Sequence, residues 1–209
     1  MIRHVSFKHG WFYHYRLHVP RSQTLLSDFP DLHAFLDTMH VDCPHEKFES
    51  GPRGSKLRFP VSVQLVEVPG HEMCSLAAAS LLHGTSRTAH TNVEIGLLHA
   101  DPKTISVEIP LWLDAHEHPQ YETVFASSEP LTGHIDILRV EDGYVWIWDY
   151  KPGAAKEKWA ATQLNTYATM LSVRTGIPIT QMKCGYFDSD TCFVFNPVPL
   201  AHAAEAFVQ

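Results

Sequence analysis

Cysteine is scarce in this chain: four thiols in 209 residues, at 43, 74, 184 and 192, with no Cys-x-x-Cys pair. That pattern excludes a disulfide-stapled secreted scaffold, and the expected state is a reduced, intracellular protein of the cytoplasm. No apolar run is long enough to span a bilayer. The first residues do not join a basic segment to an apolar one, so neither a membrane partner nor a secretory leader is expected. Positive charge is also short, with 16 Lys and Arg against 23 Asp and Glu, a net charge of −7. This argues against a broad basic face for nucleic acid, while leaving room for a narrow groove in which a few cations gather. Internal repeats and low-complexity tracts are missing. Histidine is abundant at 15, yet HExxH and HxxEH spacings do not occur, so zinc-hydrolase chemistry finds no support.

What is there is concentrated between Gly133 and Tyr167. Gly133–Val140 is a β-rich run, Glu141-Asp142-Gly143 supplies a tight turn, and Tyr144–Lys151 is a second β-rich run. Pro152-Gly153 ends the strand, and a helix is expected over Lys156–Arg174 with Gly176 placed to stop it. Both faces of Val145–Trp148 are apolar, as in a strand covered on both sides. Asp149 and Lys151 close that strand on one common face, and Asp136 sits between Ile135 and Ile137 in the partner strand. Ionised carboxylates in such surroundings are normally paired or bind a metal. Two aspartates and a lysine converging at the end of a hairpin make a small divalent-cation site, and Mg²⁺ takes one or two carboxylates plus waters and phosphate. Asp-x-Lys alone also reads as a turn former or a weak salt bridge. The ordered combination with Gly-x-x-Asp upstream and Gln-x-x-x-Tyr downstream is what gives it meaning.

Gly133-His134-Ile135-Asp136, Asp149-Tyr150-Lys151-Pro152-Gly153 and Gln163-Leu164-Asn165-Thr166-Tyr167 together resemble the PD-(D/E)XK nuclease superfamily. Within it, the RecB-type nuclease domains are most similar. The resemblance covers the chain from about residue 87 onward. It implies an α/β fold: a restriction-endonuclease-like core with a mixed central sheet flanked by helices. Residues 86–209 would form this core and residues 1–85 an N-terminal α+β elaboration packed on it, as one compact domain. The implied activity is metal-dependent hydrolysis of phosphodiester bonds in DNA without a covalent intermediate. Asp136 and Asp149 would bind Mg²⁺ or Mn²⁺ with the backbone carbonyl of Tyr150. Lys151 would orient or deprotonate the attacking water, while Gln163 and Tyr167 would position Lys151 or the nucleic-acid backbone. The family also carries a metal-binding His, or a Glu in related branches, on the helix before the core sheet; His90 is the first choice and Glu94 the alternative. Some relatives hold an iron–sulfur cluster, but the cysteine spacing here does not match and no cluster is expected. Asp136 follows Ile rather than the Pro of the nominal motif, a departure common in the RecB-type branch. Relatives are often fused to a helicase, so a helicase or another repair or defence protein is the implied partner. A catalytically weak nucleic-acid-binding module of a larger complex is the alternative function. A His-rich metal-binding protein would explain the composition but not the ordered motif.

Elsewhere, Trp11–Leu17 reads as a strand, Ser27–Met39 as a helix, Glu46–Lys56 as a loop and Leu57–Val68 as an alternating strand. The aromatic residues of the N-terminal part are candidates for base stacking as well as core. Helices are expected over Glu72–Leu82 and Ser86–Leu98, broken near Gly84, with His90 and Glu94 four residues apart on one face. Thr104–Leu113 reads as a strand and Asp114–Gln120 as a solvated polar loop whose Glu117 and His118 are not ligands. Met182–Phe187 and Cys192–Asn196 form an expected hairpin, and Ala201–Val208 a short helix. Lys151, Lys156 and Lys158 form a local basic cluster beside the site.

Overall fold

A computed structural model describes residues 1–200 of the chain; the helix expected over Ala201–Val208 lies outside the described residues. The chain opens on a hairpin of β1 (Ile2–His9) and β2 (Trp11–His18), turned at Gly10 with φ +78°. Two helices follow, α1 (Val19–Leu25) and α2 (Pro30–Val41). Pro30 takes the start of α2, where its missing N–H leaves no bond unmade, and Leu32, Phe35, Leu36 and Met39 are buried along one side.

The strand expected over Leu57–Val68 does not form. Only β3 (Val66–Glu67) is paired, and 57–65 runs as irregular chain. Leu57, Phe59, Val61 and Val63 do alternate toward the core, as any extended segment can. Pairing fails where Pro60 lacks an N–H, and the segment is held instead by the Thr162 hydroxyl donating to the Phe59 carbonyl.

The next two helices, α3 (Glu72–His83) and α4 (Ala89–Ala100), flank Gly84 as expected. Then come β4 (Thr104–Leu113), α5 (Tyr121–Phe125), β5 (Leu131–Glu141) and β6 (Tyr144–Tyr150). Asp142 and Gly143 make the two-residue turn of the β5–β6 hairpin, at φ +52° and +74°, the pairing that suits the twist of an antiparallel pair. A crossover through α6 (Ala160–Thr175) leads to β7 (Met182–Phe187) and β8 (Cys192–Phe195). Gly176 caps α6 in the left-handed conformation at φ +69°. The polar 114–120 loop is a capped turn whose acids are used structurally: Lys47 pairs with Asp114 at 2.8 Å and Arg174 with Glu117.

Among the described residues, eight strands form one sheet in the order β1-β2-β4-β5-β6-β7-β8-β3. Of these strand pairs β6–β7 is the parallel one, which is why that step needs a helical crossover. The sheet is continuous across residues 85 and 86, because β2 pairs with β4 through Arg16↔Val107 and Leu17↔Ser106. One face is covered by α2 and α6 and the other by α3 and α4. Between α3, α4 and the sheet lies Arg139, fully buried, with Nε 2.8 Å from Asp101 and a terminal nitrogen 2.5 Å from Glu72.

The sheet opens at one place. Residues two apart on a regular strand share a face, yet Val107 and Ile137 pack with α3 and α4 while Ile109 and Ile135 pack on the opposite side. Both strands change layers at Glu108 and Asp136, and Glu108 has the left-handed φ of +53°. The β5–β6 ladder also stops at Ile137↔Trp148. Asp136 and Asp149 therefore sit one step beyond the last pair.

Candidate active site

That opening is the floor of a cleft of about 530 Å³ lined by His90, Glu108, Asp136, Asp149, Lys151 and Gln163, with Tyr13, Arg53 and Tyr167 on its walls. The acidic and basic groups arrive on several elements. α4 is started by Thr88, whose hydroxyl accepts the Thr91 N–H, and presents His90 and Glu94 one turn apart. β5 brings Asp136, the end of β6 brings Asp149, and Lys151 follows it. Tyr150 links the two strands, its N–H donating to Asp136 Oδ2 at 3.1 Å, and its ring lies edge-on to His90.

The geometry is compact. His90 Nε2 is 2.8 Å from Asp136 Oδ2 and 3.4 Å from Glu94 Oε1. Ligand atoms of His90, Asp136 and Asp149 all lie within 4.8 Å of one another. Lys151 Nζ is 2.7 Å from Asp149 Oδ2 and donates to Gln163 Oε1 at 3.1 Å. The Gln163 amide in turn donates weakly to the Tyr167 hydroxyl at 3.4 Å. Of the residues expected at the site, His90, Asp136, Asp149, Lys151, Gln163 and Tyr167 line one cleft, with the buried Glu94 behind His90. Of the expected lysine cluster only Lys151 lines the cleft; Lys156 and Lys158 are exposed on the segment after β6. Charged side chains near in sequence need not share a cleft once the strand has ended.

Two cleft residues were not legible in the motifs. Glu108 lies within the expected strand Thr104–Leu113; its left-handed backbone turns it into the cleft with Asp136, and the His14 N–H donates to its carboxylate. Arg53 comes from the expected loop, where it is fixed by donating to the carbonyls of His9 at 2.5 Å and Phe48 at 3.1 Å.

The electrostatics follow from crowding charge out of water. Asp136 is held below the ordinary carboxylate range because the His90 imidazole, Asp149 and Lys151 outweigh its burial. Asp149 is pushed well above that range by burial and by the Asp136 charge. His90 is raised to about 10, chiefly by Asp136. Burial and Glu108 push Glu94 up, and Glu108 itself is raised by burial. Although Lys151 stands close, neither Asp149 oxygen accepts a hydrogen bond of normal geometry, and both Glu94 oxygens are likewise unsatisfied. Buried, unsatisfied carboxylate oxygens facing an imidazole nitrogen are the donor set of a divalent cation, which would provide the missing counter-charge.

The motif glycine has a steric reason. A Cβ on Gly133 would stand 2.3 Å from Tyr167 Cε1, and one on Gly54 would stand 2.5 Å from the same atom. Tyr167 lies between two glycine backbones, and that close approach sets the register of α6 against β5. Gln163, one turn earlier, is thereby aimed at Lys151.

Among the described residues, no helix is long and apolar enough to cross a membrane. Comparison with known proteins matches the family model of the PD-(D/E)XK nuclease superfamily over residues 10–205. No curated protein and no solved structure matches the chain. The match begins at the turn of the first hairpin, so β2 falls within it and β1 precedes it. The mixed sheet with helices on both faces is an α/β, restriction-endonuclease-like core. The chain belongs to the PD-(D/E)XK nuclease superfamily.

Proposed function

We propose that the protein is a metal-dependent nuclease of the RecB type that hydrolyses phosphodiester bonds in DNA. The observation that carries this reading is the cleft floor itself: His90, Asp136 and Asp149 within 4.8 Å of one another, with Lys151 2.7 Å from Asp149. Asp136, Asp149 and His90 would hold Mg²⁺ or Mn²⁺, together with the Tyr150 carbonyl. The place of Glu94 behind His90 supports His90 over Glu94 as the ligand from α4. Such an ion would supply Lewis acidity, making water a better nucleophile at neutral pH and countering charge on the scissile phosphate.

The chain's own groups do the remaining work. Lys151, held by Gln163, keeps an ammonium beside the reacting phosphate and orients the attacking water. Tyr167 braces Gln163 and so positions Lys151. Arg53, presented on the cleft wall with a fixed backbone anchor, suits a non-bridging phosphate oxygen. Trp11 and Phe12, 76% and 60% exposed at the cleft rim, offer flat faces to unpaired bases. The acidic net charge is compatible with this, because Arg53 and Lys151 place positive charge in the cleft itself.

The test is cleavage of labelled single- and double-stranded DNA with Mg²⁺, Mn²⁺ or chelator. Asp149→Ala and Lys151→Ala should each lower the metal-dependent rate by at least about 100-fold, the scale of a lost acid–base or electrostatic group. Product lengths then separate end-directed from internal cleavage. Binding without cleavage under every metal would move the assignment to a nucleic-acid-binding module. Cleavage that survives both substitutions would place the active site elsewhere.

A further inference from the structure

A second cluster of metal-ligating side chains lies outside the acidic centre. His9 ends β1 and is buried, Cys43 is buried after α2, and His45 is exposed on the following turn. The His45 N–H donates to the Cys43 carbonyl at 2.8 Å. This tight turn through Pro44 brings a thiol and an imidazole to one place from a Cys-x-His sequence. His9 Nε2 is 2.9 Å from His45 Nδ1, and ligand atoms of His9, Cys43 and His45 all fall within 4.8 Å of one another.

The surroundings are those of a built site. The other nitrogen of His9, Nδ1, lies 2.9 Å from His134 Nε2. A proton on Nδ1 donated to His134 leaves the Nε2 lone pair directed at Cys43 and His45, which is how an outer partner fixes a ligating imidazole. Phe48 stacks on the His9 ring at 3.9 Å, and Phe7 packs on His9 and edge-on to His45, excluding water from the inner side. Burial, then Glu46 and Asp42, push the free thiol up to about 12. The same acidic surroundings favour a bound cation, which would deprotonate the thiol directly.

We propose that His9, Cys43 and His45 bind a borderline-soft divalent cation of the Zn²⁺ class at a site separate from the acidic centre, with His134 as the outer partner of His9. Two imidazoles and a thiolate select such an ion over Mg²⁺, which takes oxygen ligands. Tetrahedral Zn²⁺ places two nitrogens about 3.3 Å apart for bonds of about 2.0–2.1 Å. The observed 2.9 Å reaches that separation by a small outward shift of the exposed His45, whose solvent side leaves the fourth position for water. The site ties the end of β1 to the Cys43–Phe48 segment. Arg53 donates to the carbonyls of His9 and Phe48, so the ion would stiffen the wall that carries Arg53 into the cleft.

The experiment uses the full chain, stripped with chelator, and reads binding rather than cleavage. An Asp136→Asn, Asp149→Asn background removes the acidic centre. It should still bind one Zn²⁺ per chain, raise its melting temperature with added Zn²⁺, and give with Co²⁺ the near-ultraviolet charge-transfer band of a thiolate ligand. In that background Cys43→Ser should abolish the band. Cys43→Ser and His45→Gln should each weaken Zn²⁺ binding by at least about 10–100-fold, the loss seen even for outer partners. His45 is exposed, so His45→Gln keeps the fold and isolates the ligand effect from unfolding. No binding in the background variant, or unchanged affinity in both ligand variants, would overturn the site and leave a hydrogen-bonded histidine stack.

Discussion

At the scale of single residues, the acidic centre sets stability against function. Asp149 is 1% exposed with Asp136 as its neighbour. Its carboxyl is raised, so the folded state favours the neutral form and its charge at neutral pH lowers stability without a cation. Asp149→Asn in chelator should therefore raise the unfolding free energy by about 0.5–2 kcal/mol, read as a higher urea midpoint, while cleavage is lost. A lower midpoint would show that the Lys151 pair outweighs the Asp136 repulsion. Gly133 is governed by volume instead. Gly133→Ala drives a methyl into the Tyr167 ring and should cost about 1–3 kcal/mol. The cost should shrink in a Tyr167→Ala background, a coupling that a double-mutant cycle on unfolding free energies measures. An additive result would mean the ring does not occupy that space.

At the scale of elements, α3 is held to the sheet by charge. Arg139 of β5 is buried and reaches Glu72 at the start of α3 and Asp101 after α4. Arg139→Ala leaves the buried Asp101 unpaired and should destabilise by about 3–5 kcal/mol. Glu72 carries a pH signature: its hydrogen bond to Arg139 is the largest cause that brings its carboxyl down to about 2, against the opposing effect of burial. A depressed carboxyl stabilises the fold above its unfolded pKa of about 4.3, and that contribution fades as pH falls toward 2. The stability gap between the parent and Glu72→Gln should thus be full at pH 7, narrow below pH 4.5 and close near pH 2. Thermal melts of both proteins across that range would show it. A constant gap would mean that Glu72 acts through packing.

At the scale of the whole molecule, one hairpin couples fold and cleft. β1 and β2 extend the sheet beside β4, and their tip carries Trp11 and Phe12 to the cleft rim. Because both rings are exposed, Trp11→Ala and Phe12→Ala should leave the melting temperature nearly unchanged. Each should weaken single-stranded DNA binding by about 1–3 kcal/mol, measured by fluorescence anisotropy in the Asp149→Asn protein. Equal affinity in all variants would confine the substrate path to the cleft floor.

Local order was written in the residues themselves. Gly-x-x-Asp, Asp-Tyr-Lys and Gln-x-x-x-Tyr specify a hairpin followed by a helix, because Asp142-Gly143 can only turn tightly and α6 repeats every 3.6 residues. His90 and Glu94 were legible as one helix face for the same reason. Leu57–Val63 shows the limit of such reading: alternation reveals which side is buried, but a ladder also needs backbone donors, and Pro60 interrupts them. Glu108, Arg53 and the His9–Cys43–His45 group became visible only in three dimensions. A left-handed φ within a strand, a loop arginine anchored 44 residues away and ligands from separate elements leave no periodic trace. The sequence alone determined the chemistry of the hairpin and helix, since those depend on neighbours along the chain. Tertiary structure decided which distant side chains share the cleft, since that depends on where the sheet is forced to open.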